Sequence, residues 1–280
     1  MDIKKVLICG DHSFVAKGLP ELLQNGGIEV TCFSRGKEIK SGCRIFGDVY
    51  KITENKYLSS DYDAVINFIF IKNRTIQENE TYLKELYRFC TKKNVRYLFH
   101  ISSISVYKND EKIISETTEI ESNTENKGSY AAIKVATDLY LSKIETDACK
   151  VVFLRPGFVV SNEIRFPFAG IAKLLPFNYC LLLGNKKTTL PIIERVELHN
   201  KIVSILKLDK IDLVYLLLGN KSCTKFEYVK SISNRKILLL PKYLVVSLAK
   251  CLKFLRIINQ KQFQQIKGLF KESQYQNSLI

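Results

Sequence analysis

Apolar runs and helical repeats alternate along the first half of the chain. Strand-like segments occupy residues 5–9, 28–33, 64–71, 96–102 and 151–154, and the continuous apolar run 64–71 is suited to a strand buried on both faces. Between them, segments with apolar residues spaced by three or four predict helices over residues 13–24, 75–93 and 130–144. Strands that alternate with helices indicate a parallel sheet covered on both sides. We therefore predict a doubly wound α/β domain over residues 1–160.

The alternation loosens after Pro156. Residues 196–208 and 243–255 have helical spacing, and residues 213–218 form a short strand-like run. We expect residues 161–280 to form a smaller C-terminal lobe, some of whose elements return to the sheet.

Composition narrows the class of protein. Hydrophobic residues make up 46% of the chain and charged residues 25%, as in ordinary globular proteins. The eight cysteines form no C-x-x-C pair and only three histidines accompany them, so no metal site is expected. Scattered free thiols are typical of a reducing compartment. The apolar run after the N-terminus is too short for a signal peptide, and we expect a cytoplasmic protein.

The net charge of +15 allows several partners. A basic surface attracts nucleic acid, an anionic membrane or a phosphorylated substrate. The lysines are spread along the whole chain, which favours ordinary solvated charges for most of them. No recognised nucleic-acid module is present, so we expect no nucleic-acid partner.

Gly10 ends the first predicted strand and opens the first predicted helix. Gly10, Ser13 and Ala16 have the spacing of the phosphate loop of a Rossmann-type dinucleotide-binding domain, although glycine is usual at all three positions. Ser13 is the larger departure, because its side chain stands where the backbone approaches the phosphates. An ordinary strand–turn–helix gives the same pattern. If the loop binds a cofactor, the candidate contacts are Gly10, His12, Ser13, Phe14 and Val15.

The end of the second predicted strand bears on the choice of cofactor. An acidic residue there binds the adenosine ribose of NAD, whereas this chain has Ser34 and Arg35. An arginine can pair with a 2′-phosphate, so we predict NADP(H), with His12 as a second contact. The alternative is that Arg35 is a solvated turn residue, which leaves NAD(H) open.

Tyr130 and Lys134 form a Y-x-x-x-K pair on a predicted helix. Positions i and i+4 share one helix face, so the phenol and the ammonium project together. A nearby cation lowers the pKa of a tyrosine and favours acid–base chemistry. A surface helix pair is the ordinary alternative, but here the pair follows a strand that ends with Ser102 and Ser103.

These motifs together resemble the extended short-chain dehydrogenase/reductase family, the nucleotide-sugar epimerases, dehydratases and reductases. Further matches occur in the family's order, and the resemblance covers residues 4–160 well and the rest loosely. They are Phe46-Gly47-Asp48-Val49, Asp63-Ala64-Val65-Ile66, Asn79 and Leu154-Arg155-Pro156-Gly157.

The resemblance implies a role for each matching residue. Tyr130 is the expected general acid/base, Lys134 binds the cofactor ribose and lowers the tyrosine pKa, and Ser103, rather than Ser102, polarises the substrate oxygen. Asp48 is expected to contact adenine, Pro156 to lie beside the nicotinamide, and Phe68 to join the cofactor contacts. The resemblance also makes the C-terminal lobe the substrate-binding part.

The resemblance leaves the reaction open. Dehydratases of the family carry an acidic pair after the serine, and Ile104-Ser105 stands there instead, which disfavours dehydration. The NADP(H) prediction favours a reductase that converts a 4-keto nucleotide sugar to an alcohol in surface polysaccharide biosynthesis. The alternatives are a nucleotide-sugar 4-epimerase with tightly held NAD and a non-catalytic dinucleotide-binding sensor or assembly protein.

Partners beyond the cofactor rest on weaker signals. Four basic residues are candidates for the substrate diphosphate, although each has an ordinary solvated alternative: Lys173, Lys186, Lys187 and Arg195. The basic apolar segment 236–258 predicts either peripheral contact with a membrane or a core helix with snorkelling lysines. Family members often form homodimers, so a homodimer is a further prediction.

Overall fold

The computed structural model describes residues 3–58, 61–71, 75–161, 172–183, 186–187, 189–220, 223–268, 270 and 273–276. The strands in chain order are β1 (Lys5–Cys9), β2 (Glu29–Arg35), β3 (Ile39–Ser41), β4 (Arg44–Gly47), β5 (Ala64–Asn67), β6 (Tyr97–Ile101), β7 (Ile113–Ile114), β8 (Lys150–Pro156), β9 (Phe158–Val160), β10 (Ala172–Leu175), β11 (Tyr179–Leu183), β12 (Thr189–Leu190), β13 (Ile192–Glu194), β14 (Val214–Leu217), β15 (Cys223–Thr224), β16 (Lys236–Leu240) and β17 (Gln274–Tyr275). The helices are α1 (Leu19–Asn25), α2 (Ile76–Lys92), α3 (Ser129–Ile144), α4 (Arg195–Leu206), α5 (Lys225–Ile232), α6 (Lys242–Phe254) and α7 (Gln260–Gly268). Short 3-10 helices occur at Val49–Glu54, Ile104–Val106 and Thr124–Asn126.

Eight strands form the main sheet, in the order β14-β8-β6-β5-β1-β2-β4-β3. Neighbouring strands are parallel except β3, which runs antiparallel to β4 at one edge. The chain winds outward in one direction from β1 to β2 and β4, and in the other from β1 to β5, β6 and β8. This doubly wound order confirms the predicted α/β Rossmann-type fold, and it puts the switch point of the topology between β1 and β5.

Two apolar layers cover the sheet, one on each face. Side chains alternate along β1, so Val6 and Ile8 join one core cluster while Leu7 and Cys9 join the other. The first cluster contains residues of α1 and α4, and the second contains residues of α2. Burial of each large apolar side chain contributes roughly 1.5–3 kcal/mol, so these layers fix β1 firmly at the centre.

The C-terminal part of the chain contributes to both the main sheet and a smaller apolar cluster. β14 pairs with β8, and α4 packs in the same cluster as β1. The three-stranded sheet β10-β11-β16 and helix α5 form a separate cluster around Cys180, Leu182 and Val229. The division into domains at residue 160 stays a prediction.

The first helix is shorter than the predicted span of residues 13–24. It begins at Leu19, and the chain before it forms consecutive turns from Asp11 to Gly18. Gly18 has φ +95°, a left-handed conformation that interrupts the helix, and Pro20 lies in the first turn of α1. Proline lacks an N–H and is tolerated only at the start of a helix, so the helix restarts there.

The apolar run 64–71 also ends earlier as a strand than predicted. β5 stops at Asn67, whose side-chain oxygen accepts a hydrogen bond from Ile69 N (3.1 Å). This local turn leads the chain away from the sheet. Among the described helices, none combines the length and the apolar character needed to cross a bilayer.

Candidate active site

A cleft of about 1200 Å³ lies at the carboxyl ends of the parallel strands. Its walls come from the segments that follow β1, β2, β5, β6 and β8, together with α3 and parts of the C-terminal lobe. Most of the predicted site residues line it: Gly10, His12, Ser13, Phe14, Val15, Ser34, Arg35, Phe68, Ser103, Tyr130, Lys134 and Pro156. In open α/β sheets, ligands bind at this end of the strands, so the cleft is the candidate active site.

The position of Gly10 leaves no room for a side chain. Its φ is +86°, and a Cβ atom there would lie 2.9 Å from Ile69 Cγ1 and 3.1 Å from Ile69 N. Any other residue would be strained and would push away the segment that follows β5. Ser13 shows no such requirement, because its φ is not positive and its Oγ accepts a hydrogen bond from Ala16 N (3.2 Å). The serine thus stabilises the turn of the loop rather than distorting it.

The end of β2 is held by a buried carboxylate. Asp11 accepts hydrogen bonds from Ser34 Oγ (2.7 Å) and from Arg44 Nε (3.0 Å). Arg35, the next residue along β2, is exposed and lines the cleft. His12 stacks on Phe46, with ring centroids 6.2 Å apart. Because Asp11 is engaged by two donors, the mouth of the cleft at this point is left with the positive charge of Arg35.

The segment after β5 forms one wall of the cleft. The buried amide of Asn79 in α2 accepts from Ile71 N (3.1 Å) and donates to Ile71 O (3.3 Å). Phe68 and Phe70 belong to this segment and line the cleft. The asparagine therefore positions an apolar wall and does not itself face the cleft.

The two serines after β6 have different environments. Ser102 is buried, and its Oγ donates to Asp138 Oδ2 (2.8 Å). Ser103 is half-buried, its Oγ accepts from Ser105 N (3.1 Å), and it forms a side-chain hydrogen bond with Tyr130. The arrangement places Ser103 on the cleft side and Ser102 behind it.

Tyr130 lies at the start of α3 with its ring in the cleft. The residue is 49% exposed, and its ring packs edge-on against Phe70 at 5.1 Å between centroids. Its hydroxyl end is surrounded by protein, and this burial raises the pKa of Tyr130 above its usual value of 10.0, although the hydrogen bond with Ser103 acts to lower it. The net pKa is raised because desolvation of the phenolate outweighs the hydrogen bond with Ser103, and the lowering expected from Lys134 stays a prediction.

Lys134 follows one turn later and is buried. Its Nζ donates to Ile101 O (2.7 Å) and lies 5.1 Å from the centre of the Phe70 ring. Burial lowers the pKa of Lys134 to about 8, while the charge of Asp138 acts to raise it. The ammonium therefore bridges α3 and the end of β6, next to the cleft.

A buried polar network supports this corner from behind. Asp138 Oδ2 accepts from Ser102 and from Arg155 Nη2 (3.3 Å), and Arg155 also donates to Tyr107 Oη (2.9 Å). Asp138 Oδ1 and His100 Nε2 lie 3.9 Å apart, and neither has a hydrogen-bond partner among the described residues. Arg155 thus acts behind the site, although its neighbour Pro156 lines the cleft.

The tautomer of His100 follows from its other neighbour. Asn67 Oδ1 accepts from Tyr82 Oη (2.8 Å) and from Ile69 N, so its amide nitrogen faces His100 Nδ1 at 3.2 Å. His100 Nδ1 must then accept, which puts the proton on Nε2, towards Asp138. Burial lowers the pKa of His100 well below its usual value, so the ring is neutral.

Several predicted contacts lie elsewhere. Asp48 is exposed and caps a 3-10 helix by accepting from Tyr50 N (2.9 Å); its neighbours Val49 and Tyr50 line the cleft, and its contact with adenine stays a prediction. The four basic residues considered for the substrate diphosphate are not among those that line the cleft: Lys173, Lys186, Lys187 and Arg195. Arg195 instead packs over the Phe14 ring at 5.2 Å.

Sequence reasoning missed several residues of this corner. Asp138 follows Lys134 by four residues, as Lys134 follows Tyr130, so helical spacing alone would have placed it on the same face. Lys225 at the start of α5 lines the cleft, but nothing in its local sequence marks it. Asp11 carries no such signal either, because its role depends on Arg44, a distant part of the chain.

Comparison with known proteins identifies the family. The model of the NAD-dependent epimerase/dehydratase family matches residues 6–190. Comparison with curated protein sequences gave no significant match.

Solved structures show the same fold at low sequence identity. An NAD-dependent NDP-hexosamine 5,6-dehydratase, TunA, involved in tunicamycin biosynthesis, is 18% identical, with a TM-score of 0.63 over 85% of this chain and 84% of that one. UDP-N-acetylglucosamine 4-epimerase from Bacillus cereus is 17% identical, with a TM-score of 0.63 over 85% and 88%. MoeE5 in complex with UDP-glucose and NAD is 15% identical, with a TM-score of 0.64 over 98% and 90%.

The family match spans more than half of the chain and includes the phosphate loop, the strand-end serine and the Tyr130–Lys134 pair. This match confirms the resemblance inferred from the motifs. The chain belongs to the NAD-dependent epimerase/dehydratase family, the oxidoreductase-type enzymes of the extended short-chain dehydrogenase/reductase group.

Proposed function

We propose that this chain is an NADP(H)-dependent reductase that converts the keto group of a nucleotide sugar to an alcohol in the cytoplasm. The observation that carries the proposal is the convergence of Ser103, Tyr130 and Lys134 in one cleft at the carboxyl end of the sheet. A hydroxyl pair with an ammonium beside it is the constellation needed to protonate a carbonyl oxygen. A protein that served only to bind a dinucleotide would have no need of all three.

Tyr130 can act as the proton donor. A phenol with a pKa of 10.0 or above holds its proton at neutral pH, and burial of Tyr130 raises its pKa further. Ser103 hydrogen-bonds the same hydroxyl and is placed to donate to the substrate oxygen. Tyr130 would supply the proton to the carbonyl oxygen, and a reduced nicotinamide, when bound in the cleft, would supply the hydride for the carbonyl carbon.

Lys134 holds the charge beside this proton donor. Its ammonium is anchored on Ile101 O, one helical turn from Tyr130, and it is charged when the pH is below its pKa of about 8. In the proposed role it hydrogen-bonds the cofactor ribose and stabilises the phenolate that forms when Tyr130 gives up its proton.

The shape of the cleft fits a dinucleotide. The loop from Gly10 to Val15, the end of β2 and the wall at Phe68 lie along one continuous surface that reaches Tyr130 and Pro156. Gly10 brings this loop into close contact with the segment after β5, as a tight phosphate loop requires.

The choice of NADP(H) rests on Arg35. This arginine is exposed at the cleft where an acidic residue would bind the ribose hydroxyls of NAD. Asp11, the carboxylate next to this position, is already engaged by Ser34 and Arg44. A 2′-phosphate would therefore meet positive charge without a competing free carboxylate.

The substrate would enter from the C-terminal lobe. Leu190, Pro191 and Lys225 line the cleft beyond Tyr130, and Lys225 adds positive charge on that side. A nucleotide diphosphate is anionic, so we assign Lys225 to its binding in place of the four residues considered from sequence. UDP-glucose is the ligand named for MoeE5, which shares the fold.

The test is a set of keto-sugar nucleotides incubated with the protein and either NADPH or NADH. A reductase oxidises one equivalent of NADPH for each sugar reduced, seen as a fall in absorbance. A 4-epimerase would instead interconvert two nucleotide sugars with no net change in absorbance. If neither conversion occurs although the cofactor binds, the chain is a dinucleotide-binding protein without this activity.

A further inference from the structure

The net positive charge is concentrated in one stretch of the C-terminal lobe. The 44 residues from Tyr228 to Lys271 contain ten Lys or Arg and no Asp or Glu. The other 236 residues hold 33 Lys or Arg and 28 Asp or Glu, and so carry only +5 of the total +15. Lysines are spread along the chain, as expected from sequence, but acidic residues are not. This stretch is therefore a strongly basic segment of an otherwise nearly balanced chain.

Helix α6 lies within this stretch and turns an apolar face outward. Tyr243 is 69% exposed, Leu248 is 62% exposed and Phe254 is 87% exposed. Leu244, Leu248, Cys251 and Leu255 follow the helical spacing of four, three and four residues, so they share one side. The opposite side packs against the protein through the buried Ala249. A contiguous exposed apolar helix face is typical of a surface that binds another protein or a membrane.

Lysines border the apolar face of α6. At about 100° per residue, Lys250 falls beside Tyr243 at one edge of this face. The exposed Lys242 and Lys253 follow further round the helix on the same side, where Lys253 Nζ lies 5.3 Å from the centre of the Phe263 ring. Lysine side chains at such an edge reach past the apolar residues to an anionic layer. The helix thus combines an apolar face with a cationic border, the pattern of helices that lie in a membrane interface.

The strand that precedes α6 and one turn of the same small sheet also expose apolar side chains. In β16, Lys236, Leu238 and Leu240 point to the exposed side, while Ile237 and Leu239 pack inward. The turn between β10 and β11 carries Phe177, which is 91% exposed. Exposed leucines and an exposed phenylalanine on a basic lobe are expected of a membrane-facing surface, not of a surface in contact with water alone.

We propose that α6, with the residues up to Ile257, docks the protein on an anionic lipid bilayer. A second copy of this chain is disfavoured as the occupant, because it would bring two surfaces of like charge together with no acidic residue to pair with. α6 has 13 residues and is about 20 Å long, shorter than the roughly 30 Å hydrocarbon core. The proposed helix therefore lies in the plane of the membrane surface, and the catalytic cleft remains in the aqueous phase.

The first test is co-sedimentation of the full chain with vesicles. Vesicles of phosphatidylcholine containing phosphatidylglycerol should bind the protein, with affinity falling as salt is raised. Pure phosphatidylcholine vesicles should bind it at least about tenfold more weakly. The L244S/L248S variant should lose about tenfold or more on the anionic vesicles, because it removes apolar side chains from the buried face. The K242Q/K250Q variant should lose affinity and salt dependence together.

A fluorescence test reports insertion directly. The chain has no tryptophan, so F254W provides a single reporter on the proposed membrane face. Its emission should shift to the blue on anionic vesicles, whereas I39W, a reporter at an exposed position of the main sheet, should not shift. Dinucleotide binding by each variant serves as a check that it is folded.

Three results would overturn the proposal. One is equal binding to neutral and anionic vesicles, and another is unchanged binding by both double variants. The third is a blue shift of the F254W emission that depends on protein concentration without vesicles, which would make the surface a contact between copies. None of these measurements depends on turnover, so they stand apart from the proposed activity.

Discussion

Ser102 donates a hydrogen bond to Asp138 across 2.8 Å and so ties helix α3 to the end of β6. The helix carries Tyr130 and Lys134, and the strand end leads into Ser103. The contact between Ser102 and Asp138 therefore sets the distance between the two halves of the catalytic group. Both residues are buried, which makes the tie rigid.

Replacing the carboxylate tests this support. In D138N the buried guanidinium of Arg155 loses its anionic partner, and we expect a loss of roughly 3 kcal/mol in the free energy of unfolding. S102A removes a single hydrogen bond to the same carboxylate and should cost about half as much or less. Urea unfolding of the two variants checks the order, and a D138N protein as stable as the wild type would contradict the role of Asp138.

The pKa of Lys134 gives a prediction for pH dependence. Burial lowers this pKa to about 8, so the ammonium is lost as the pH rises through about 8. Tyr130 has a raised pKa and keeps its proton over the same range. We expect kcat/KM for carbonyl reduction to be level below about pH 7.5 and to decline above about pH 8, because the loss of a required proton reduces the active fraction.

The matched variant for this profile is K134R. Arginine stays charged throughout the range, so the decline near pH 8 should vanish even if the rate is lower. If kcat/KM of K134R declines with the same midpoint, a group other than Lys134 causes the decline. The lowered pKa of Lys134 also affects folding, because it lies below the value of 10.5 expected in the unfolded chain. Burial of the ammonium therefore reduces the free energy of unfolding below about pH 8, and this cost disappears as the pH rises towards 10.5.

Arg35 determines the predicted preference for NADPH. R35A should weaken NADPH binding by about 10- to 100-fold, the value of a charge-assisted pair with a phosphate, and leave NADH binding nearly unchanged. K37A removes a nearby lysine that does not line the cleft and should change neither affinity by more than about twofold. Titration calorimetry with both cofactors makes the comparison. Equal losses for NADPH and NADH in R35A would show that the arginine does not read the 2′-phosphate.

Helices and strands were predicted correctly where the apolar spacing and the residues at the ends of the element indicated the same structure. The predicted strand at residues 5–9 is β1, because a run of buried apolar residues at the centre of a parallel sheet has no competing interpretation. The predicted helix 75–93 is α2, and Thr75 and Glu78 form a capping box that fixes its start. The first helix was misjudged because its apolar spacing was given more weight than Gly18 and Pro20.

Only part of the candidate site could be predicted from the sequence. Tyr130 and Lys134 have the spacing of one helical turn, and Ser103 was added by its place after a predicted strand and by the family resemblance. The residues behind them pair across the fold: Asp138 with Arg155, and Asn67 with His100. Such pairs leave no pattern in one sequence, since each member has an ordinary structural explanation at its own position.

The proposed mechanism depends on Tyr130 as the proton donor, and Y130F tests this role. Phenylalanine keeps the ring that packs on Phe70 and removes only the hydroxyl, while Y140F makes the same change further along α3, outside the cleft. Both variants should bind NADPH with the wild-type dissociation constant within about threefold, since neither hydroxyl is assigned to its phosphates.

The most direct measurement is the single-turnover rate of NADPH oxidation by Y130F with a keto-sugar nucleotide, set beside its dissociation constant for NADPH. We expect unchanged binding and a rate about 10² to 10⁴ times lower than that of the wild type and of Y140F. A Y130F protein that reduces the sugar at the wild-type rate would contradict the assignment of Tyr130 as the acid and the mechanism built on it.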